Sequence, residues 1–245
     1  MGVKTADRTL DLFELFSNEQ CPMTLSVIAE KMVIPPSSAH ALIKTLQARG
    51  YLYEVSRRHG YYLTKKLSRQ VEAISAGIPV LAQINPHLQQ LCDALCETVV
   101  LGKRQGDAIT YLDVVECRQS IRFSPVVGEV KALHCSATGQ AILGALSPSE
   151  LSQTLARIKF EKRNDKTITS PAALSAELAT QRRRGWYQVI GENIADLMSI
   201  AATVVVEGET YVVGVGGPIL RFKPLIARHA TQLLKTCKAI EQALN

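Results

Sequence analysis

Two helical apolar faces, separated by a short turn that runs into two consecutive prolines, constrain this chain more than any other feature. Residues 25–32 put Leu25, Ile28, Ala29 and Met32 on one helical face. Thr24 precedes them as an N-cap whose hydroxyl can accept from an orphan backbone N–H. Val33, Ile34 and Pro35 turn the chain, and Pro36 stands where the first turn of a new helix tolerates a missing N–H. The second helix, 37–49, is expected to bury Ala39, Leu42, Ile43 and Leu46 and to stop at Gly50. Aromatic and β-branched runs at 51–55 and 61–63 suit two strands. They flank a tip, 56–60, with Arg57 and Arg58 side by side.

Helix, turn, helix and a two-stranded ribbon make the layout of a winged helix-turn-helix, and double-stranded DNA is the partner such a unit implies. The free face of the second helix offers Ser37, Ser38, His40, Ala41 and Lys44 near its N-terminus, where base edges and phosphates are met. Between residues 37 and 70 seven basic residues (Lys44, Arg49, Arg57, Arg58, Lys65, Lys66, Arg69) face one acid, Glu54. The resulting surplus of six equals the net charge of the whole chain, +6, so the basicity is local, as a phosphate footprint requires. The plainer alternative is a solvated basic surface on an unrelated helical module.

A chain of 245 residues suits one large or two ordinary domains, and 47% hydrophobic with 20% charged residues argues against disorder. The best uncharged apolar run, 197–206, is too short to cross a bilayer and reads as a strand, so no membrane partner is expected. The N-terminal residues lack an apolar signal core, and Ala6 occupies the position where a myristoylation signal needs Ser or Thr. Six cysteines (21, 92, 96, 117, 135, 237) form no CxxC. Cys92 and Cys96 are expected to share one side of a helix, without further ligands at metal-site spacing. Reduced thiols, no metal, no cofactor and a cytoplasmic setting follow as expectations.

Residues 7–16 read as a helix with Leu10, Phe13, Leu15 and Phe16 apolar, and 64–76 as a linker helix carrying Leu67, Val71 and Ile74. The Gly77-Ile-Pro79 break sets the expected division: 1–63 for DNA binding, 64–77 as linker, 78–245 as a second domain. A helix over 80–95 is expected to restart at Pro86. A hairpin (98–103 and 108–116) follows, then helices at 137–146, from 149, and from Pro171 to the Arg182–Arg184 triplet before Gly185. Strands at 199–206 and 210–215 and a closing helix at 222–244 complete an α+β pattern, an antiparallel sheet with flanking helices.

Several fragments, in this order, are similar to the IclR family of bacterial transcription regulators. They are Pro36-Ser-Ser with Leu42, Leu46 with Arg49-Gly-Tyr-Leu52, residues 111–116, Gly128, Leu133-His134 and residues 137–143. Arg184-Gly185, Glu192-Asn193, residues 200–202 and Gly217-Pro218 continue the series. The resemblance covers nearly the whole chain. It implies a winged helix-turn-helix joined by a linker helix to a GAF-like effector-binding and oligomerisation domain. It also implies a homodimer, often a dimer of dimers, small organic or aromatic acids as effectors, and catabolic or export operons as targets.

In the family's effector pocket, backbone N–H groups at the positions of Ala137 and Thr138 hold a carboxylate, which fits the preference of helix N-termini for anions. The family's pocket Cys matches Ser199, its Asp matches Val189, and its Ser positions match Gly214 and Gly216. An unpartnered buried carboxylate or hydroxyl costs on the order of 1–3 kcal/mol. These losses therefore imply a roomier, more apolar pocket for an aromatic or branched acid, with Phe123, Leu133 and Met198 as apolar wall.

The reading is thus an effector-controlled DNA-binding regulator, repressor or activator, with RNA polymerase as a further partner if it activates. Ser37, Ser38, His40, Lys44, Arg57 and Arg58 are the expected DNA contacts. One alternative is a ligand-independent DNA-binding oligomer whose second domain only assembles. Another is an enzyme using Cys135 or Ser199. However, adjacent His134 and Cys135 on a strand would point to opposite faces, and no hydrolase, zinc-protease or phosphate-loop motif is present. No catalytic residue is therefore assigned.

Overall fold

Leu12 and Phe16, one helical turn apart, anchor the N-terminal unit. The computed structural model describes residues 3–77 and 79–245. It divides into two compact units, Met1–Ile78 and Pro79–Asn245. In the first, α1 (Lys4–Glu19) is longer at both ends than its apolar pattern predicts. Its inward residue is Leu12, not Leu10, which is 60% exposed. Leu12 and Phe16 are four apart and share a face, whereas Leu10 falls on the opposite side.

Helix α2 (Leu25–Lys31) begins at Thr24, whose hydroxyl accepts from the Val27 amide. Helix α3 (Pro36–Ala48) buries Ala39, Leu42, Ile43 and Leu46 against it. Strands β1 (Leu52–Ser56) and β2 (Gly60–Leu63) pair antiparallel as the wing. Met23 bridges to Tyr61 and ties the wing to the loop before α2.

Helix α4 (Lys66–Ala76) follows directly. The Thr64 hydroxyl donates to the Gly50 carbonyl (2.6 Å) and accepts from the Lys66 amide (3.2 Å). Lys66 Nζ donates to the Arg49 carbonyl at 2.7 Å, covering the C-terminal end of α3 where a cation is favoured. Val71 and Ile74 of α4 remain exposed in the single chain.

The second unit opens with α5 (Pro79–Leu95), which runs through Pro86 without restarting. The missing hydrogen bond is outweighed by burial of Ile84, Leu88 and Leu91 on both sides of the proline. Because α5 stops at Leu95, Cys96 lies beyond the helix, exposed, with φ 55°, while Cys92 is buried. The two thiols therefore do not share a helical side. All six cysteines are free.

Strands β3 (Thr98–Gln105), β4 (Ala108–Val115) and β5 (Val130–Ala132) lead to α6 (Ala137–Ala145), α7 (Pro148–Arg157) and α8 (Pro171–Arg182). Then come β6 (Tyr187–Ile190), β7 (Leu197–Val206) and β8 (Glu209–Pro218). Together they form one antiparallel sheet in the order β5-β4-β3-β8-β7-β6. The closing helix is divided, as Pro224 permits: α9 (Ile219–Phe222), a 3₁₀ turn (Lys223–Leu225) and α10 (Ile226–Leu244).

Strand alternation gives the sheet two apolar faces. Val99, Leu101, Met198, Ile200, Val213 and Val215 pack under α5 and α10. Val100, Tyr111, Val189, Ala201 and Val212 pack under α6, α7 and α8. His134 and Cys135 are not on a strand; they lie in the bend between β5 and α6.

Candidate functional site

The face of α3 turned away from the core presents Ser37, His40, Ala41 and Lys44 to solvent, with Ser38 half-buried at its margin. Arg57 and Arg58 are exposed in the turn between β1 and β2. Ser56 shapes that turn, accepting from the His59 amide (3.1 Å) and meeting His59 Nδ1 at 2.8 Å. The ion pairs among the described residues use none of Lys44, Arg57 or Arg58, leaving these cations uncompensated. Lys66, by contrast, is committed to the end of α3.

In the second unit a narrow cleft, partly open to solvent, lies on the α6 face of the sheet, with a cavity volume of about 30 Å³. Strand register builds its floor. Val189 on β6 pairs with Ser199 on β7, Ser199 with Gly216 on β8, and Gly216 with Thr98 on β3. One row across, Gly214 pairs with Val100 and Ala201. Ala137 and Thr138 form the first turn of α6, with Ser136 as N-cap accepting from the Gly139 amide (3.1 Å). The N–H groups of Ala137 and Thr138 have no carbonyl within reach of the helix and lie at its positive end.

The cleft thus brings together Phe123, Ala137, Thr138, Val189, Ser199, Gly214 and Gly216. It does not include Leu133 or Met198. Met198 alternates with Ser199, so it points to the other face of the sheet, into the core under α5 and α10. Leu133 is buried in the α6 core, where its backbone lies against Gly139.

The exposed lining of the cleft is mostly apolar, and it also takes in Lys131, Glu192, Asn193, Tyr111, Cys135 and Ser136. The two glycines do not enlarge it. A Cβ on Gly214 would stand 2.8 Å from Thr138 Cγ2 and 2.9 Å from Val100 Cγ2, and one on Gly216 would stand 3.0 Å from Phe123. Their space is already filled. Thr98 Oγ1 donates to the Phe123 backbone carbonyl (2.6 Å) and anchors the segment that carries that ring.

Sequence reasoning missed Lys131 for a specific reason. On β5 the polarity is inverted: Lys131 is 8% exposed and Val130 is 63% exposed. The ammonium pairs with Glu129 and lies 5.8 Å and 5.7 Å from the Tyr111 and Phe123 ring centres. Glu192, just beyond β6, is visible in the sequence only as part of a family-like fragment. Its loop is held by Asn164 Nδ2, which donates to the Gly191 carbonyl (2.8 Å), and by the Thr167 hydroxyl, which donates to the Glu192 carbonyl (2.7 Å).

Burial raises the Glu192 carboxyl to about 7. The sign of the resulting pH dependence is definite. Between about 4.5 and 7 the folded state holds a proton that the unfolded chain has released, so stability falls as pH rises through this window. Glu192→Gln is therefore expected to leave stability unchanged near pH 4 and to raise it by about 2–3 kcal/mol above pH 7.5. Urea melts at both pH values check this, and an equal effect at both would show that Glu192 ionises normally.

The thiol of Cys135 is pushed up to about 11 by burial, which disfavours the thiolate a nucleophile needs. His134 cannot assist it. Its Nε2 meets the Glu161 carbonyl at 3.0 Å and its ring packs on Phe160, in the surface cleft next to Arg157 and Lys159 rather than in the Cys135 cleft.

A winged-helix unit with free cations, followed by a sheet domain with a partly open cleft, defines a DNA-binding transcription regulator. The chain belongs to the IclR family: the profile described as bacterial transcriptional regulator IclR C-terminal matches residues 72–242, and the IclR helix-turn-helix domain matches 5–56. The HTH-type transcriptional regulator BhcR of Paracoccus denitrificans is 31% identical over 222 residues, covering 90% of this chain and 79% of that protein. The crystal structure of Thermotoga maritima IclR superposes with a TM-score of 0.82 at 23% identity, covering 98% of both chains. An IclR homolog from Microbacterium hydrocarbonoxydans, solved in complex with 4-hydroxybenzoate, superposes at 0.74 with 20% identity and 98% coverage of both chains. Regulators of this family act by binding DNA and are not enzymes. Among the described residues no helix is long and apolar enough to cross a membrane.

Proposed function

We propose that this regulator is controlled by a small carboxylic acid bound in the cleft of its second unit, and that it governs a catabolic or transport operon. The observation that carries this reading is the meeting of the α6 N-terminus with the Lys131 ammonium on one cleft, an environment that favours an anion. The 4-hydroxybenzoate of the Microbacterium homolog supports an aromatic acid. Phe123 and Tyr111 supply ring faces for one. The filled space over Gly214 and Gly216 weighs against the enlarged pocket that the residue pattern implies.

On the DNA side, Ser37, Ser38, His40 and Lys44 read the major groove, while Arg57 and Arg58 reach phosphates or the minor groove. The protein acts in the cytoplasm as a homodimer, or a dimer of dimers, on a partly palindromic operator. It recruits RNA polymerase if it activates. Helix α4 transmits the effector state, which requires the acid to bind one arrangement of the DNA-binding pair more tightly than another.

The test is thermal unfolding of the purified protein against aliphatic and aromatic acids. At a hundredfold excess over Kd, a ligand of the folded state adds about 2.7 kcal/mol. A stabilising acid that also changes operator affinity is the expected result. No shift with any acid would favour the ligand-independent oligomer instead.

A further inference from the structure

We propose that Lys131 and Glu192 are two poles of the cleft, so that its effector is an acid whose carboxylate lies at Lys131 and whose hydroxyl group hydrogen-bonds Glu192. This rests on the effector reading above and adds to it the second functional group and the residues that select it.

The two side chains come from opposite ends of the sheet. Lys131 is on β5, one edge strand, and Glu192 lies two residues beyond β6, the other edge strand, yet both line the same cleft. The floor between them is Gly214, Gly216 and Ser199.

Lys131 carries a charge in a place where burial is costly. An ammonium has three donors. Among the described residues its ion-pair partner is Glu129, whose side chain is one-third exposed, and its other near neighbours are the ring faces of Tyr111 and Phe123. A ligand carboxylate would supply the acceptors that aromatic carbon does not. The two N–H groups at the start of α6 lie on the same cleft and favour the same charge.

Glu192 is 9% exposed. Its side-chain contact within the chain is a long one, Gln140 Nε2 at 3.5 Å, and a backbone hydrogen bond at Ile168 is its other tie. It therefore retains acceptor capacity toward the cleft, and a hydroxyl donor uses it. An acid without that donor would leave this remaining acceptor capacity of Glu192 desolvated and unused, which is the condition under which a polar site discriminates strongly.

The test is calorimetric titration of the full chain with two sets of probes. One is 4-hydroxybenzoate, benzoate and 4-hydroxybenzamide; the other is glycolate, acetate and glycolamide. Within at least one set the hydroxy acid is expected to bind at least tenfold more tightly than either analogue. Lys131→Met should erase the advantage over the amide, Lys131→Arg should restore most of it, and Glu192→Leu should erase the advantage over the acid lacking the hydroxyl.

Binding of a hydroxy acid that Lys131→Met leaves unchanged, or equal binding of acid and amide to the unaltered protein, overturns the two-pole assignment while the acid-effector reading stands. The analogue comparison decides the matter even if a variant fails to fold. Failure of every acid to bind the unaltered protein overturns both.

Discussion

A protein carrying Arg57→Ala together with Arg58→Ala is expected to bind all duplex DNA sequences more weakly, with a shallower dependence on salt. Each phosphate that is no longer neutralised takes about 0.9 off the slope of log affinity against log salt concentration, so two arginines together account for about 1.8 per chain engaged. At low ionic strength this is a drop of tenfold or more for operator and random duplex alike. Both side chains are exposed in a turn and take part in none of the ion pairs among the described residues, so stability should change by no more than about 0.5 kcal/mol. Fluorescence anisotropy at several salt concentrations measures the slope, and an unaltered slope would remove the wing from the interface. His40→Ala should behave differently. If its ring meets a base edge, its loss changes preference between operators by about 1–3 kcal/mol, whereas uniform weakening would place it on the DNA backbone.

The second large effect is expected from Gly139→Ala, a change of one methyl group on a buried helix. A Cβ there would lie 2.4–2.7 Å from three backbone atoms of Leu133, closer than carbon and oxygen can approach. Backbone cannot rotate aside as a side chain would, so α6 must lift away from the bend at residues 133–136. That bend carries Cys135 and the N-cap Ser136, and the first turn of α6 carries Ala137 and Thr138, so the cleft is distorted along with the core. We expect a loss of about 3 kcal/mol or more and loss of acid-induced stabilisation. DNA binding by the N-terminal unit should persist wherever the variant remains folded. Thermal melts with and without ligand test this, and a change below about 0.5 kcal/mol would show that the close approach is relieved elsewhere.

Much of this molecule is legible in its sequence because the informative residues are local. Thr24, Pro36 and Gly50 punctuate α2 and α3, and apolar spacing tells which side of each helix is buried. The floor of the cleft is found through Ser199, Val189, Gly214 and Gly216, which register places on neighbouring strands. The features that the sequence hides depend on long-range packing. Strands β5 and β6 are three and four residues long, too short for alternation to declare itself. The residue pattern puts Met198 on the cleft wall, yet a shift of one residue along a strand changes the face. Lys131 sits inward while Val130 sits outward, a polarity that no hydrophobic pattern would predict. Pro86 reads as a break, but the buried residues around it keep α5 whole.

The brevity of β5 and β6 has a bearing on how copies of the chain associate. The edge strands themselves offer only three and four residues, and where β7 runs on past β6 the Val205 amide and carbonyl are taken by the Glu241 and Asn245 side chains. Short edges of this kind discourage strand-by-strand growth from one molecule to the next. The sheet of this unit is thereby a poor template for continuous strand pairing and fibril growth.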